Sequence, residues 1–471
     1  MLHVSTRGEA PALSFTDALL TGLARDGGLY VPQSWPALPR DAIAAFAGRP
    51  YAVVAQTVMR ALVDGEIAAP DLGRMVDDAY GGFRHGAVCP LVQIGDNLFV
   101  LELFHGPTLA FKDVAMQLLA RLMDHALKAR GARSTIVGAT SGDTGSAAVE
   151  AFKELDQVDV FILYPHGRVS DVQRRQMTTL DAPNVHPVAL DGTFDDCQAL
   201  VKAMFNHARF RDELRLSGVN SINWARIAAQ TVYYFTAAVA LCGPHRPISF
   251  SVPTGNFGDV LAGWVAKRMG LPVERLMVGA NANDILHRTL KRGAYEIRGV
   301  IPTTSPSMDI QVSSNFERLL FEAYGRDGAA IRGLMANLAQ SRAFTIAPEP
   351  LARIREEFSS AAVAEKDVAA EIRETWRQAG YMLDPHTAVG VRAAKALRRD
   401  NPETPVVSLA TAHPAKFPEP VERATGLRPE LPPHLADLMD RPERFSRLPN
   451  EQTAIERFIR ERARVVTGAA A

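Results

Sequence analysis

Seven short runs rich in β-branched, aromatic and aliphatic residues alternate with longer amphipathic segments, and this alternation restricts the fold more than any other feature. The runs are 97–104 (NLFVLELF), 134–139, 158–164, 184–190, 247–253, 273–280 and 404–410. Strands separated by helical segments are typical of βαβ units and parallel sheets. Because the runs are almost continuously apolar, we expect open, mostly parallel sheets with helices on both faces. The predicted fold class is therefore α/β.

The length of 471 residues is too large for one ordinary core, so we expect several structural units. Composition and periodicity predict a mainly helical region over 1–90 and an α/β core over 91–300 and 380–420. A smaller α/β subdomain is expected within about 130–215 of that core. A helical insertion is predicted over 301–380, followed by a tail rich in Pro, Arg and Glu over 421–471.

The charge balance argues against a nucleic acid or membrane partner, because Lys plus Arg equals Asp plus Glu at 52 each. Three widely spaced cysteines favour a reducing compartment. The N-terminus lacks a signal-peptide pattern, and the apolar stretch 231–243 is too short to span a bilayer. No HExxH motif or EF-hand loop occurs. We therefore expect a cytoplasmic, metal-independent protein.

Lys112 lies where packing alone rarely places a lysine. It follows the stretch HGPTLAF and precedes a segment in which Ala115, Leu118 and Leu122 recur with helical spacing. A cation near the positive end of a helix and among apolar neighbours is disfavoured, and both effects lower the pKa of lysine. A neutral lysine amine forms a Schiff base with an aldehyde or ketone. The alternative is an ordinary lysine that reaches solvent or pairs with Asp113.

Two further loops have the composition of anion sites. The stretch 138–148 (GATSGDTGSAA) follows a predicted strand, and its small polar residues allow several backbone N–H groups to face one anion. The stretch 252–263 (VPTGNFGDVLAG) has the same strand, turn and helix order, and its glycines permit close approach of a ligand. Taken alone, the first loop is better explained as an ordinary helix cap, and the second as an ordinary connection between a strand and a helix.

The carboxyl ends of the strands in an open α/β sheet lie on one side, so these loops and Lys112 are expected to share a crevice. A reactive amine beside two anion loops suits a cofactor with an aldehyde and a phosphate. Pyridoxal 5′-phosphate is such a cofactor.

The motifs FHGPTLAFKD, ATSGDTG and PTGNFGD resemble threonine synthase, a tryptophan-synthase-β-like, fold-type II family of pyridoxal phosphate enzymes. VSTRGEAPALSF, LARDGGLYVP, NSINWARIAAQ, MDIQVSSNFERLLF, DPHTAVG and LATAHPAKF are similar to its long form. The final fifty residues carry no such motif. The resemblance implies a carbon–oxygen lyase that converts O-phospho-L-homoserine and water to L-threonine and phosphate, the last step of threonine biosynthesis.

The resemblance also implies roles for individual residues. Lys112 corresponds to the Schiff-base lysine, and Thr411 to a hydroxyl near the pyridine nitrogen of the cofactor. The loop for the cofactor phosphate comprises Gly255, Asn256, Phe257, Gly258 and Asp259. The loop for the substrate carboxylate comprises Ser141, Gly142, Asp143 and Thr144.

The leaving phosphate of the substrate needs a pocket of its own. Our candidates for it are Ser313, Ser314, Asn315 and Arg318, with Thr108 and His105 behind them. A Ser N-cap that opens a surface helix explains SSNFER equally well.

Three other functions stay open from the sequence. The first is a related phospho-lyase that gives 2-oxobutanoate, ammonia and phosphate, since a small change in the position of water decides between the products. A nucleotide-binding oxidoreductase is disfavoured because no GxGxxG with a following acidic residue is evident. A non-catalytic protein on this fold is disfavoured by Lys112 and the two loops. Either a monomer or a homodimer is consistent with the sequence.

Overall fold

The computed structural model describes residues 1–467, in which strands and helices alternate along most of the chain. The N-terminal elements are β1 (His3–Ser5), α1 (Phe15–Thr21), β2 (Tyr30–Pro32), α2 (Arg40–Ala44), α3 (Tyr51–Val63) and α4 (Ala69–Tyr80). They are followed by β3 (Leu91–Gly95), β4 (Leu98–Glu102), α5 (Lys112–Ala129), β5 (Ser134–Ala139), α6 (Asp143–Phe152), β6 (Val158–Pro165), α7 (Asp171–Thr178), β7 (Val185–Leu190), α8 (Phe194–Asn206), α9 (Ala208–Glu213), β8 (Leu216–Ser217) and α10 (Trp224–Ala240).

The second half continues the same pattern. Its elements are β9 (Ile248–Pro253), α11 (Gly258–Arg268), β10 (Val273–Ala280), α12 (Ile285–Arg292), β11 (Ala294–Glu296), α13 (Phe316–Ala323), α14 (Gly328–Ser341), β12 (Ala343–Thr345), α15 (Pro348–Glu357), β13 (Phe358–Ala362), α16 (Glu365–Ala379) and α17 (Pro385–Asp400). The chain then forms β14 (Val406–Ala410), α18 (Pro418–Thr425), β15 (Ser446–Leu448), α19 (Gln452–Arg460) and α20 (Arg464–Thr467).

Two mainly parallel sheets organise these elements. The larger has the order β13-β10-β9-β14-β4-β3, in which only β3 is antiparallel to its neighbour. The smaller has the order β15-β7-β6-β5-β8 and is parallel throughout. Helices cover both sheets, so the predicted α/β fold class is confirmed. Each of the seven apolar runs forms a strand.

Two segments differ from the sequence-based interpretation. Within 301–380, predicted as a helical insertion, β13 pairs with β10 and forms an edge of the larger sheet. Within 421–471, predicted as a tail, β15 pairs with β7, and α19 buries Ile455 and Ile459 against the smaller sheet. Positions 468–471 of the predicted tail lie outside the described residues. Both segments therefore complete the two α/β units rather than extend from them.

The N-terminal helices share the core of the larger unit. Along α3, Val54, Val58 and Leu62 are fully buried at helical spacing. This apolar face packs against α10, and α4 packs against α5. Their side chains belong to the same hydrophobic cluster as Phe250 and Leu409 of the larger sheet. Helices α5 and α10 are thus covered in part by the N-terminal helices.

His3 of β1 is a buried imidazole among aromatic rings, 5.9 Å from both Phe15 and Trp224 between ring centroids. Burial lowers the pKa of His3 from 6.5 to about 4. The unfolded chain therefore binds this proton more tightly, and stability falls as the pH drops below 6.5 towards 4. We expect the step from pH 7 to pH 5 to cost about 2 kcal/mol through this residue.

Urea unfolding at the two pH values tests this expectation. His3→Leu should reduce the loss of unfolding free energy between pH 7 and pH 5 by that amount. The control His166→Leu replaces an exposed histidine and should leave the loss as in the parent. An unchanged loss in His3→Leu would contradict the expectation.

Candidate active site

Lys112 is the first residue of α5, at the end of the loop that leaves β4. Its amine lies 3.4 Å from Asp143 Oδ2 and 4.7 Å from the centre of the Phe111 ring. It does not pair with Asp113, whose carboxylate accepts hydrogen bonds from Thr108 N (2.8 Å) and Thr108 Oγ1 (2.6 Å). Burial lowers the pKa of Lys112, and two neighbouring cations add to this effect against the opposing charge of Asp143. The amine thus loses its proton more readily than an ordinary lysine.

The loop from Ser141 to Thr144 follows β5 and begins α6. Gly142 has φ of 140°, and a Cβ there would overlap the Gln173 side chain, so the turn requires glycine. Thr140 Oγ1 accepts hydrogen bonds from Gly142 N (2.9 Å) and Gly145 N (2.8 Å). The backbone N–H groups at 141, 143 and 144 donate to no group within residues 1–467. They are therefore available to an anion, as helix N-termini commonly are.

Asp143 is a buried carboxylate between two lysines. The Lys416 amine lies 2.9 Å from Oδ1, closer than Lys112 lies to Oδ2. Gln173 Nε2 donates to Oδ1 (2.9 Å), and Ser307 Oγ donates to Oδ2 (3.1 Å). Burial disfavours the charged form, but Lys416 and then Lys112 hold the pKa of Asp143 well below its usual value. This group is therefore an anion.

The loop from Gly255 to Asp259 connects β9 to α11. A Cβ at Gly255 would lie 2.8 Å from the carbonyl oxygen of Ser307, so a side chain does not fit there. In the described part of the chain, the N–H groups of residues 255–258 have no acceptor. Burial raises the pKa of Asp259 to about 6. Phe257, at φ of 65°, points into the core.

These unused donors at the N-terminus of α11 are the expected environment of a phosphate.

Thr411 follows the last residue of β14 and lies beside the loop that carries Lys112. Its N–H donates to Thr387 Oγ1 (3.2 Å), and its carbonyl accepts a hydrogen bond from Phe111 N (2.9 Å). Thr387 is itself held by Asp384, which caps α17. The backbone of Thr411 is thus fixed on both sides, and the residue lines the cavity described next.

One cavity of about 800 Å³ lies between the two α/β units and brings most of the predicted site residues together. The predicted residues that line it are Lys112, Ser141, Asp143, Thr144, Gly255, Asn256, Gly258, Asp259, Ser314 and Thr411. Gly142 and Phe257 shape the two loops from outside the lining. The strand order explains this convergence, because β4, β5, β9 and β14 all end at the cavity.

The residues predicted to form a pocket for the substrate phosphate have a different role in the structure. Ser313 Oγ donates to the carbonyl of Gly255 (2.7 Å), and Asn315 Nδ2 donates to that of Asn256 (3.0 Å). Arg318 is buried away from the cavity and donates to the carbonyls of Tyr30 (3.0 Å) and Ile222 (2.7 Å), as well as to Asn315. These side chains support the loop from behind, so of the four only Ser314 reaches the cavity.

The two residues placed behind that pocket also lie outside the cavity lining. Thr108 is occupied by Asp113, and the imidazole of His105 lies 2.6 Å from Glu102.

Sequence reasoning missed Arg226, which lines the cavity from the first turn of α10. Its guanidinium is buried, Nη1 donates to the carbonyl of Val219 (3.1 Å), and Nε has no hydrogen-bond partner. No carboxylate among residues 1–467 is within ion-pair distance of it. Burial lowers the pKa of Arg226 to about 10, so the group is still a cation at neutral pH. An unpaired buried cation beside a ligand cavity indicates an anionic ligand. An arginine early in an otherwise apolar helix was the available signal.

His386 and Ser307 were also missed. His386 Nδ1 lies 2.7 Å from Asp384 Oδ2, and Nε2 accepts a hydrogen bond from Ser307 N (3.3 Å). Both residues line the cavity. They attach the segment around residue 307 to α17 on one side and to Asp143 on the other.

The residues present fit pyridoxal phosphate. A buried lysine with lowered pKa provides the amine, and the unused N–H groups of residues 255–258 provide for the phosphate. No group of His, Cys, Asp or Glu side chains within residues 1–467 could hold a metal ion. No helix in that range is long and apolar enough to cross a membrane. The fold and site thus define a pyridoxal phosphate enzyme with parallel sheets and a lysine at a helix start.

Comparisons with known proteins agree. Residues 89–340 match the family model for pyridoxal-phosphate dependent enzymes, 2–80 match the threonine synthase N terminus, and 387–459 match the threonine synthase C-terminal model. The chain is 54% identical to threonine synthase of Pseudomonas aeruginosa over 460 residues, covering 98% of each protein. This chain belongs to the threonine synthase family, which confirms the resemblance of its motifs.

Solved structures give the same result. The PLP-bound threonine synthase from Brucella melitensis has 60% identity and a TM-score of 0.96, with 98% of this chain and 100% of that chain covered. Yeast threonine synthase has 38% identity and a TM-score of 0.93, with 98% of both chains covered.

Proposed function

We propose that this chain is a cytoplasmic enzyme that converts O-phospho-L-homoserine and water to L-threonine and phosphate with pyridoxal phosphate attached to Lys112. The observation that carries the proposal is the shared cavity. A buried amine with lowered pKa, two sets of unused backbone donors and an unpaired arginine all line it.

The residues that would hold the cofactor lie at three strand ends. Lys112 provides the covalent attachment, and the loop from Gly255 to Asp259 receives the phosphate through its N–H groups. Thr411 presents a neutral hydroxyl to the pyridine nitrogen. The bound cofactor supplies an electron sink that stabilises negative charge at the substrate carbons.

The substrate would be held at both ends. The N–H groups at 141, 143 and 144 receive its carboxylate. Arg226 receives its phosphate, with Ser314 adding a hydroxyl. Arg226 replaces Arg318 in our proposal because it is the arginine that lines the cavity. Cationic donors aimed at a departing phosphate stabilise the charge that it gains.

Lys112 would then act as the proton carrier. Once the substrate amine displaces it, its neutral Nζ would take the proton from the α carbon and, after releasing that proton, one from the β carbon. Its lowered pKa fits this use, because a general base works best when its pKa is near the working pH. Phosphate would leave from the γ carbon with the electrons of the C–O bond, and water would add its hydroxide at the β carbon. The proton from the β carbon and the remaining proton of water go to the γ carbon and the departing phosphate, and the protonated amine returns a proton to the α carbon.

The compartment, the oligomeric state and the partners belong to the same proposal. The free cysteines Cys89, Cys197 and Cys242 fit a reducing cytoplasm. Every residue assigned a role belongs to one chain, so a monomer and a homodimer serve the proposal equally well. The partner is a small molecule, with no nucleic acid or membrane required.

Product analysis tests the proposed function. Purified enzyme given O-phospho-L-homoserine should release threonine and phosphate in equal amounts. The rival phospho-lyase would release 2-oxobutanoate and ammonia with the phosphate. Threonine-free formation of 2-oxobutanoate would overturn the proposal, and so would the absence of any phosphate release by cofactor-loaded enzyme.

A further inference from the structure

Lys416 is a lysine that the proposed mechanism leaves without a use. It lies in the single turn Pro414–Lys416 that follows β14, and its side chain is 0% exposed. Its amine lies 2.9 Å from Asp143 Oδ1 and donates to the carbonyl of Thr108 (2.8 Å). A fully buried ammonium is retained only with partners of this kind, because an unpaired one is strongly disfavoured.

Each carboxylate oxygen of Asp143 contacts a different lysine. Oδ1 takes Lys416 and Gln173, both at 2.9 Å, while Oδ2 takes Ser307 at 3.1 Å and Lys112 at 3.4 Å. Lys112 is thus the most distant of the four donors. If its nitrogen moves away or loses its proton, the carboxylate keeps a cation and two hydrogen bonds.

A comparison with a site that lacks the Lys416 charge shows what Lys416 contributes. Without Lys416, the nearest cation to the buried Asp143 would be Lys112 itself. A buried carboxylate holds a proton firmly on a single neighbouring amine, which would make Lys112 a poor nucleophile and a poor base. With Lys416 present, its positive charge balances the negative charge of Asp143, and Lys112 is not needed as a counter-ion.

Other ionisable groups lie around Asp143, Lys112 and Lys416 on the surrounding elements. They are Asp113 on α5, Arg226 on α10, Asp259 on α11 and His386 on α17. Asp259 and Asp113 have their pKa raised to about 6 by burial, although Lys112 and Lys416 respectively oppose this. Only Asp143 lies within ion-pair distance of both lysines among the described residues.

We propose that Lys416 is a positioning residue for the reaction: it neutralises Asp143 and thereby leaves the nitrogen of Lys112 free to lose its proton. The inference rests on the proposed function, in which Lys112 carries the cofactor. Lys416 touches neither substrate nor cofactor in this account and acts through Asp143.

A purely structural role makes a different prediction. Lys416 also connects the smaller α/β unit, through Asp143, to the loop at Thr108. If that were its whole contribution, its loss would lower stability without changing the protonation of the Lys112 nitrogen. The pH response of that nitrogen therefore separates the two roles.

The experiment follows the bound cofactor by absorbance while the holoenzyme is titrated with acid and base. Lys416→Gln removes the charge but retains an amide that donates hydrogen bonds, and Lys416→Arg retains the charge. We expect the pH midpoint of this absorbance titration to rise by about one pH unit or more in Lys416→Gln. The reason is that Asp143 then acts on the Lys112 nitrogen alone and favours its protonated form. Lys416→Arg should titrate like the parent.

A second readout does not depend on turnover. Pyridoxal phosphate added to cofactor-stripped full chain at pH 7 should be captured more slowly by Lys416→Gln, by up to about tenfold for a rise of one unit in the pKa of Lys112, since a higher pKa lowers the neutral amine fraction. Adding Asp143→Asn to Lys416→Gln should bring the midpoint back to the parental value or below. Lys416→Met, made in parallel, removes the same charge should the Gln variant not fold.

Lys395→Gln is the matched control, because Lys395 pairs with the fully buried carboxylate of Glu371 away from the cavity. It should leave the midpoint unchanged. A parental midpoint in both Lys416→Gln and Lys416→Met overturns the inference, as does a midpoint that stays raised in the double variant. Failure of the proposed function itself would show differently, as a bound-cofactor band that survives Lys112→Ala.

Discussion

Lys112→Ala is expected to remove the absorbance band of the lysine-bound cofactor and to reduce threonine formation by a factor on the order of 10³ or more. The reason is that one nitrogen performs two tasks in the proposed mechanism. It attaches the cofactor, and after displacement it moves the protons at the α and β carbons. Among the described residues Lys112 is the lysine that lines the cavity, and the nearby Lys416 is held by Asp143 and by the carbonyl of Thr108.

The measurement is an absorbance spectrum of purified protein together with a threonine-release assay at saturating cofactor. Lys128→Ala is a suitable control, because Lys128 lies on the same helix but is half exposed and pairs with Asp124. It should retain both the band and the activity. A band of normal intensity in Lys112→Ala would show that another residue carries the cofactor, and the assignment would then be wrong.

Lys112 and the two glycine-containing loops could be predicted because their signals are local in sequence. In each case an apolar strand, a connecting loop and a helix follow one another directly along the chain. The rule that carboxyl ends of parallel strands share one side then brings them together without any knowledge of distant contacts. The same locality explains why all seven apolar runs form strands, whereas the three-residue β15 carried too little pattern to be seen.

The direction of side chains could not be predicted. SSNFER (313–318) leads into the first turn of α13 and carries hydroxyl, amide and guanidinium groups, which suggested a phosphate pocket. In the structure these groups point back to the carbonyls of Gly255, Asn256, Tyr30 and Ile222. Buried backbone carbonyls need donors as much as ligands do, and composition does not distinguish the two uses.

The pairing of Asp143 with Lys416 is invisible in sequence for another reason. The two residues belong to different α/β units and meet only because β5 and β14 end at the same cavity. Local patterns fixed where each strand ends, but the register between the two sheets decides which side chains come within 3 Å. Such contacts arise from tertiary packing alone.

Arg226→Met is expected to have the second largest effect, lowering kcat/KM for O-phospho-L-homoserine about a hundredfold or more. Loss of one partner of a buried charged contact costs about 2–5 kcal/mol, and each 1.4 kcal/mol is a factor of ten. The loss should arise mainly through weaker binding of the phosphate-bearing substrate. Arg226→Lys keeps the charge without the planar fork, so it should fall between the parent and Arg226→Met.

The guanidinium of Arg226 is able to bind either the substrate phosphate or the cofactor phosphate, and Arg226→Met distinguishes the two cases. If Arg226 binds the substrate phosphate, Arg226→Met keeps its cofactor at parental affinity, and inorganic phosphate becomes a weaker inhibitor. If it binds the cofactor phosphate, pyridoxal phosphate dissociates more easily, while inhibition by inorganic phosphate of cofactor-saturated enzyme is unchanged. We expect the first outcome, because the N–H groups of residues 255–258, which have no acceptor in the described chain, would serve the cofactor phosphate in our proposal. Arg226, without a carboxylate partner, is then left as the cation available for the second phosphate.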